Sequence, residues 1–178
     1  MTFQTFKNCV IAIALCMMAG VSIKAQEPSQ MQALIGQSLS KLQQQTPDAH
    51  LNCIAELKRV EAMFPDSIQP KYQMALQSLS FSVSNPKAEQ TENLLKEAEL
   101  TIDKMEQMKG ADQSDVCTLR GFLYMVRIVQ DPAVNGQRYY MNVMQNYEKA
   151  LKINPNNQLA QQLQQKFLEG MKQTTGSN

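Results

Sequence analysis

The segment Tyr147–Asn157 constrains the fold most, because it has the pattern of an amphipathic helix that ends at a proline. Tyr147, Ala150 and Leu151 fall at positions i, i+3 and i+4, so they share one face of a helix. The small Ala150 beside a bulky ring leaves a gap through which a neighbouring helix can approach. Pro155 then prevents the helix from continuing and disfavours helical backbone at the residue before it. The segment therefore predicts the second helix of a packed helical pair, followed by a closing turn.

Six further segments show apolar residues at helical spacing, and turn residues separate them. Strand-like alternation of apolar and polar residues is absent from the sequence. We therefore predict an all-α protein of about seven helices, the last of which caps the C-terminal end. The predicted helices are Met31–Gln45, Leu51–Phe64, Ile68 or Pro70–Val83, Lys87–Lys109, Ser114–Gln130, Gln137–Ile153 and Asn157–Met171.

Glycines and prolines between and within these helices predict local structure. Gly110 is expected to end the fourth helix. Gly121 lies inside the fifth helix, where a glycine costs about 1 kcal/mol relative to alanine, so we expect a close helix crossing at this point. Asp131-Pro132 is expected to end the fifth helix, with a connecting loop over residues 132–136.

These features follow one another in an order that resembles a known family of helical repeats. The chain has a Phe64-Pro65-Asp66 turn, a helix bearing Tyr72, an Asp-Pro loop with a glycine, and a final Glu-Lys-Ala segment before Asn154-Pro155-Asn156. This order resembles the tetratricopeptide-repeat-like (TPR-like) exported proteins of Gram-negative bacteria. In such repeats a glycine and an aromatic residue, here Gly121 and Tyr124, lie on the first helix of a hairpin. The resemblance implies a solenoid of α-α hairpins with Pro65, Gly121, Tyr147, Ala150 and Pro155 at structural repeat positions.

The spacing of the two proline turns departs from a strict repeat. Pro65 and Pro155 close equivalent turns and lie 90 residues apart. A TPR period of about 34 residues would place them about 68 or 102 residues apart. We expect extra residues in the predicted helix Lys87–Lys109 and in the loop at 132–136 to account for the difference.

The first 25 residues have the order of a secretory signal peptide. Lys7 gives a positive charge, residues 9–20 form an apolar run, and Ala25 precedes a polar stretch. The run is shorter than the roughly 20 residues that a membrane-spanning helix needs. We therefore expect cleavage after Ala25 or Ser22 and export to the periplasm, with secretion or a retained membrane anchor as alternatives. A lipoprotein is disfavoured, because Cys16 lies inside the apolar run rather than after it.

After cleavage, residues 26–173 are expected to form one helical domain, followed by a disordered tail at 174–178. The whole chain has 17 basic and 16 acidic side chains, and the leader removes two lysines and no acid. Because the charges are nearly balanced and no block of basic residues occurs, the sequence predicts no basic surface for nucleic acid or anionic lipid. The sequence beyond the leader has no apolar run of membrane-spanning length, so we expect no membrane span in the mature protein.

Catalysis and metal binding find little support in the sequence. The chain has one histidine, His50, and lacks a nucleophile elbow, a phosphate-binding glycine loop and a zinc-binding His-Glu pair. Cys53 and Cys117 remain after cleavage, and they lack the spacing of metal ligands. We expect two buried thiols, with a disulfide between them as the alternative. We therefore predict a protein that is not an enzyme and that needs no cofactor.

The most suggestive binding surface is a stripe of side chains on the fifth helix. Arg120, Tyr124 and Arg127 recur at i, i+4 and i+7, and guanidinium groups beside a tyrosine suit a carboxylate or a peptide backbone. An outer helix face, with Arg127 held by Asp131, is the alternative. Tyr72 on the third helix is a second binding candidate, although a tyrosine at that repeat position also serves packing.

The sequence favours an exported TPR-like scaffold that binds a peptide, a protein or an envelope component of unknown identity. Stacked helical hairpins form extended concave surfaces, which is the physical reason for this expectation. The alternative is a small-ligand carrier, or an enzyme-associated accessory subunit, with an apolar pocket. Nine of the twelve methionines remain after cleavage, and methionine suits both irregular cores and adaptable binding surfaces.

Overall fold

The computed structural model describes residues 29–175, with side chains as far as Lys172, and every regular element in this range is helical. The predicted all-α class is therefore confirmed. The leader expected at 1–25 and the last three residues of the expected tail, 176–178, lie outside the described residues. The helices of the described range are α1 (residues 29–40, continued by a short 3-10 helix, Lys41–Gln44), α2 (Pro47–Met63), α3 (Ile68–Ser84), α4 (Thr91–Gln107), α5 (Gln113–Gln130), α6 (Pro132–Ile153) and α7 (Gln158–Thr175).

The start of α6 differs from the prediction, and the loop expected at residues 132–136 is wrong. Helix α6 begins at Pro132, and Asp131 alone separates it from α5. The Asp131 carboxylate accepts the backbone N–H of Val134 at 3.2 Å, as an N-cap does. Proline suits the first helical position, because its missing N–H has no partner there in any helix. The cap and the proline together continue the chain as helix despite Gly136.

Helix α4 is shorter than the predicted Lys87–Lys109, so it does not supply the extra residues expected there. Residues 85–90 form a turn instead, which the Thr91 hydroxyl closes by donating to the Asn85 carbonyl at 2.6 Å. Helices α2, α3 and α4 each have 17 residues, whereas α6 has 22. Helix α6 is therefore five residues longer than α4, and its residues 132–136 are those predicted as a loop. Helix α4 ends at Gln107 with Met108 as its C-cap, so the stop predicted at Gly110 is wrong by two residues, and Gly110, with a φ of 88°, belongs to the turn that follows.

Gly121 and Tyr147 make the close crossing between α5 and α6 that the sequence predicted. A Cβ atom at Gly121 would lie 2.7 Å from Cε1 of Tyr147, whereas carbon atoms in contact are normally about 3.5–4.0 Å apart. The Tyr147 ring is fully buried. Ala150, one turn further along α6, is also fully buried and clusters with Cys117 of α5 and Ala160 of α7. The small residues therefore set the distances between these three helices.

The packing order of the helices follows the chain, with two additional contacts. From α2 onward each helix contacts the next, and α3 also contacts α5 while α5 contacts α7. The main core draws on α3 through α7, and a smaller cluster joins α1, α2 and α3. Helix α7 covers one end of the main core with Leu163 and Phe167 and exposes glutamines such as Gln161 and Gln165.

The two cysteines of the described chain are free and buried, so the expectation of two thiols is confirmed. Cys53 belongs to the cluster that joins α1, α2 and α3, and burial raises the pKa of its thiol to about 11. Burial also raises the pKa of Cys117. Within residues 29–175, none of the helices combines the length and the apolar character needed to cross a membrane.

Candidate functional site

Both arginines of the predicted stripe pair with acidic side chains of α4. Arg120 Nη2 lies 2.9 Å from Asp103 Oδ1 and 2.9 Å from Glu106 Oε2. Arg127 Nη1 donates to Glu92 Oε2. The Arg120 and Arg127 side chains are only 19% and 18% exposed. These two residues therefore hold α5 against α4, and their guanidinium groups already have carboxylate partners.

Arg127 links α5 to α6 as well as to α4. The sequence alternative in which Asp131 holds Arg127 is wrong, because Arg127 pairs with Glu92 while Asp131 caps α6. The hydrogen bond from Arg127 holds the pKa of Glu92 below its usual range. The Arg127 carbonyl accepts a hydrogen bond from Asn135 Nδ2 at 2.7 Å. Three helices are thus tied together at one residue.

An open polar cleft lies between α4, α5 and the first half of α6, and we call it the tyrosine cleft. Tyr124 of the predicted stripe stacks on Tyr139, with ring centroids 5.3 Å apart and 25° between the ring planes. The Arg138 guanidinium carbon lies 5.0 Å from the centroid of the Tyr139 ring. The tyrosine cleft has a volume of about 290 Å³ and is lined by Glu92, Glu99, Leu123, Tyr124, Arg127, Asn135, Arg138 and Tyr139.

Two charged residues of the tyrosine cleft have no ion-pair partner among residues 29–172. Arg138 is exposed on α6, and Glu99 is half-buried on α4. A cation on one wall and an anion on the other suit a ligand that offers both acceptors and donors, as a polypeptide backbone does. Arg138, rather than Arg120 or Arg127, is therefore the guanidinium that remains open to a carboxylate.

Arg138 and Tyr139 are site residues that the sequence prediction missed. Both lie inside the predicted helix Gln137–Ile153, but the wrong loop at residues 132–136 excluded Asn135 from that helix, so the face that the three residues share was not predicted. Once Asp131-Pro132 is taken as a cap and a first helical residue, Asn135, Arg138 and Tyr139 fall at i, i+3 and i+4 on one helix face. The signal that could have found them was the Asp-Pro pair itself.

Tyr72, the second binding candidate, does not line the tyrosine cleft. It lies on α3 and packs against the main core. Burial, with the nearby carboxylates of Asp115 and Asp112, raises the pKa of its hydroxyl to about 12. The hydroxyl is therefore neutral at physiological pH.

A buried polar network, also missed by the sequence prediction, joins the start of α5 to the start of α7. Asn157 Nδ2 donates to Ser114 Oγ at 2.9 Å, to Asp115 Oδ1 at 3.1 Å and to Thr118 Oγ1 at 3.3 Å. Its Oδ1 accepts the backbone N–H of Ala160 at 3.0 Å and so caps α7. Because both polar atoms of the Asn157 amide have partners, this network stabilises the fold and offers no free group to a ligand.

A second concavity, which we call the methionine groove, lies where the ends of α5 and α7 meet the start of α6. Its walls are mainly apolar, and its volume is about 340 Å³. Lys166 is the charged residue of the lining. The methionine groove is formed by Met125, Ile128, Val129, Pro132, Gly136, Lys166, Phe167, Gly170 and Met171.

No protein-family model, curated protein or solved structure matches the chain. Among residues 29–172, no group of three or more histidine, cysteine, aspartate or glutamate side chains is arranged to hold a metal ion.

Proposed function

We propose that this chain is a non-catalytic, TPR-like module, exported to the periplasm, that binds an extended segment of a protein partner in the tyrosine cleft. The observation that carries the proposal is the stacked pair of Tyr124 and Tyr139 between two unpaired charges, Arg138 and Glu99. Tyrosine supplies a large apolar face together with a hydroxyl that can bond to peptide groups, which is why it is enriched at interfaces.

The contacts between alternate helices support the TPR-like part of the proposal. In this interpretation α3, α5 and α7 are the first helices of successive hairpins, and α4 and α6 are second helices. The contacts of α5 with α3 and with α7 are then those expected between neighbouring hairpins of a solenoid. Gly121 then packs within a hairpin against Tyr147, and Ala150 packs against the first helix of the next hairpin at Ala160. These are the roles that the resemblance implies for repeat positions.

The added length of α6 also supports a specialised binding role. Helix α6 is five residues longer than α4, and its first half supplies both Arg138 and Tyr139 to the tyrosine cleft. This part of α6 is the part that a regular repeat would lack. Arg120 and Arg127 contribute indirectly, because they fix the position of α4, which carries Glu99, against α5.

Affinity capture from a cell-envelope extract tests this function. The wild type should retain a protein partner, and a peptide from that partner should bind the Arg138→Ala, Tyr139→Ala double variant at least about tenfold more weakly, as expected for an aromatic and arginine contact pair. Arg59→Ala is the matched control, because Arg59 is an exposed arginine on α2 without an ion pair among the described residues. Equal peptide affinity for the folded double variant would refute a role for the tyrosine cleft.

A second candidate function, that of a small-ligand carrier, is favoured by the methionine groove. Its volume of about 340 Å³ lies at the lower end of the roughly 300–1,000 Å³ common for small-molecule sites. Such sites are mainly apolar with a few placed polar groups. Met125 and Met171 line the groove, and the flexible methionine side chain adapts to irregular apolar ligands.

A further inference from the structure

We propose that the methionine groove binds a medium-chain carboxylate, with the aliphatic chain between α5 and α7 and the carboxylate group at Lys166. This inference rests on the small-ligand carrier function and is independent of the tyrosine cleft. It follows from the apolar floor of the groove, from two helical glycines that the fold does not require, from the length of the groove, and from the charge at its edge.

The floor of the methionine groove is apolar and well packed. Met125, Ile128 and Phe167 are 8%, 7% and 5% exposed, so most of each side chain is supported by the core. Val129, which is 39% exposed, and Pro132 form the rim toward solvent. A buried apolar floor beneath an open rim favours a ligand that removes apolar surface from water.

Gly136 and Gly170 widen the methionine groove without serving the helix packing. Each lies inside a helix, where glycine is less favourable than alanine. A Cβ atom at either position would meet no heavy atom within 4 Å, in contrast to Gly121, where Tyr147 fills the space. No close crossing therefore explains these two glycines. Their effect on the structure is to leave room in the groove.

The length of the methionine groove fits a short aliphatic chain. Met125–Val129 on α5 and Lys166–Met171 on α7 span about 6 Å and about 7.5 Å at a rise of about 1.5 Å per residue. An extended chain advances about 1.2 Å per bond, since three backbone bonds span about 3.3–3.6 Å. An aliphatic chain of about six or seven carbon atoms, with the carboxylate carbon beyond it, therefore matches the groove.

The charge at the edge of the groove selects the head group. Lys166 is exposed on α7, and no side chain among residues 29–172 forms an ion pair with it. The nearby Glu169 carboxylate accepts a hydrogen bond from Gln165. An ammonium group at one end of an apolar groove attracts a carboxylate and repels a cationic head group. Since Lys166 is exposed to water, this preference should be about three- to fivefold in affinity rather than larger.

Octanoate binding to the exported protein, followed by NMR of 13C-methyl methionine, tests the inference. The Met125 and Met171 signals should shift saturably with octanoate. Butyrate should bind on the order of a hundredfold more weakly, because each buried methylene contributes about fourfold. Gly136→Leu or Gly170→Leu should weaken octanoate binding at least about tenfold by filling the groove. Gly36→Leu is the matched control, because Gly36 is an open helical glycine of α1 and should leave binding unchanged.

The head group is tested with 1-octanol and with Lys166→Met, which keeps an unbranched apolar side chain. Octanoate should bind about three- to fivefold more tightly than 1-octanol, and Lys166→Met should remove that difference. If both compounds bind equally and Gly170→Leu blocks both, the proposed preference for a carboxylate head group is refuted, whereas the carrier function is not. Absence of a saturable shift with either compound would overturn both. If Gly36→Leu weakens binding as much as Gly170→Leu, the ligand does not lie in the groove.

Discussion

Replacing Gly121 with alanine should destabilise the protein relative to an alanine placed at an open helical glycine. The added Cβ atom would lie 2.7 Å from Cε1 of Tyr147, so the ring or the helix must move by about 1 Å to reach normal contact distance. Tyr147 is fully buried, and overpacking of this kind typically costs about 1–3 kcal/mol. Alanine regains about 1 kcal/mol of helix propensity. The net loss in free energy of unfolding is therefore about 0–2 kcal/mol.

Gly136→Ala is the matched control for this substitution. Gly136 also lies inside a helix, but its Cβ position has no heavy atom within 4 Å. The propensity gain of about 1 kcal/mol should therefore appear there without a packing cost. Because the propensity gain is common to both variants, their difference in free energy of unfolding isolates the packing cost of about 1–3 kcal/mol.

Thermal unfolding followed by circular dichroism measures this difference. A domain of this size shifts its melting temperature by about 2–4 °C per kcal/mol, so Gly121→Ala should melt about 2–12 °C below Gly136→Ala. Tyr147→Leu should reduce the cost of Gly121→Ala in a double-mutant cycle, because it removes the ring that the methyl group meets. Equal melting temperatures for Gly121→Ala and Gly136→Ala would refute the close crossing of α5 and α6.

The remaining predictions concern charge, thiols and the polar network. Arg127 lowers the pKa of Glu92 in the folded protein. The stability that this pair contributes is therefore fully present above the pKa that Glu92 has in the unfolded chain, and it is lost as the pH falls through the pKa that Glu92 has in the folded protein. An NMR titration of Glu92 should accordingly show a lower midpoint than in Arg127→Met, and equal midpoints would contradict the pairing. Cys53 should resist iodoacetamide at mildly alkaline pH until the chain unfolds, since its pKa is about 11; rapid labelling of folded protein would contradict its burial. Asn157→Ala should cost about 2 kcal/mol or more in urea unfolding, because it removes a helix cap and buried hydrogen bonds, while the exposed Asn156→Ala should cost little; equal costs would show that the network does not matter.

Apolar spacing predicted the helices well where one face of each helix is buried. Residues of α5 such as Gly121 and Tyr124 have this spacing, and the helix ends within one residue of the predicted bounds. The errors occurred where two local signals compete. At 132–136 an Asn-Gly pair suggests a turn, but the Asp131 cap and Pro132 favour helix more strongly. At 85–90 the chain turns because Thr91 bonds back to the Asn85 carbonyl, which spacing alone does not indicate.

The candidate site was predictable only in part, because its walls come from different helices. The spacing of Arg120, Tyr124 and Arg127 predicts one helix face, and of these three the structure places Tyr124 and Arg127 in the lining of the tyrosine cleft. Their partners depend on how α4 and α6 are rotated against α5, and Arg127 meets Glu92 across 35 positions of the chain. Tyr139 reaches Tyr124 because α6 starts immediately after α5. Local sequence patterns do not specify how neighbouring helices are rotated against one another.

Site-specific photo-crosslinking in intact cells tests most directly whether the tyrosine cleft binds a protein segment. Benzoylphenylalanine at position 139 keeps an aromatic ring beside Tyr124, and the same residue at Met63, which is 56% exposed on α2, provides the control. We expect position 139 to give a discrete adduct with one protein whose crosslinked peptide maps to a single extended segment, and Met63 to lack that adduct. The same adducts at both positions, or none at position 139 in a folded and exported protein, would contradict the proposed binding function.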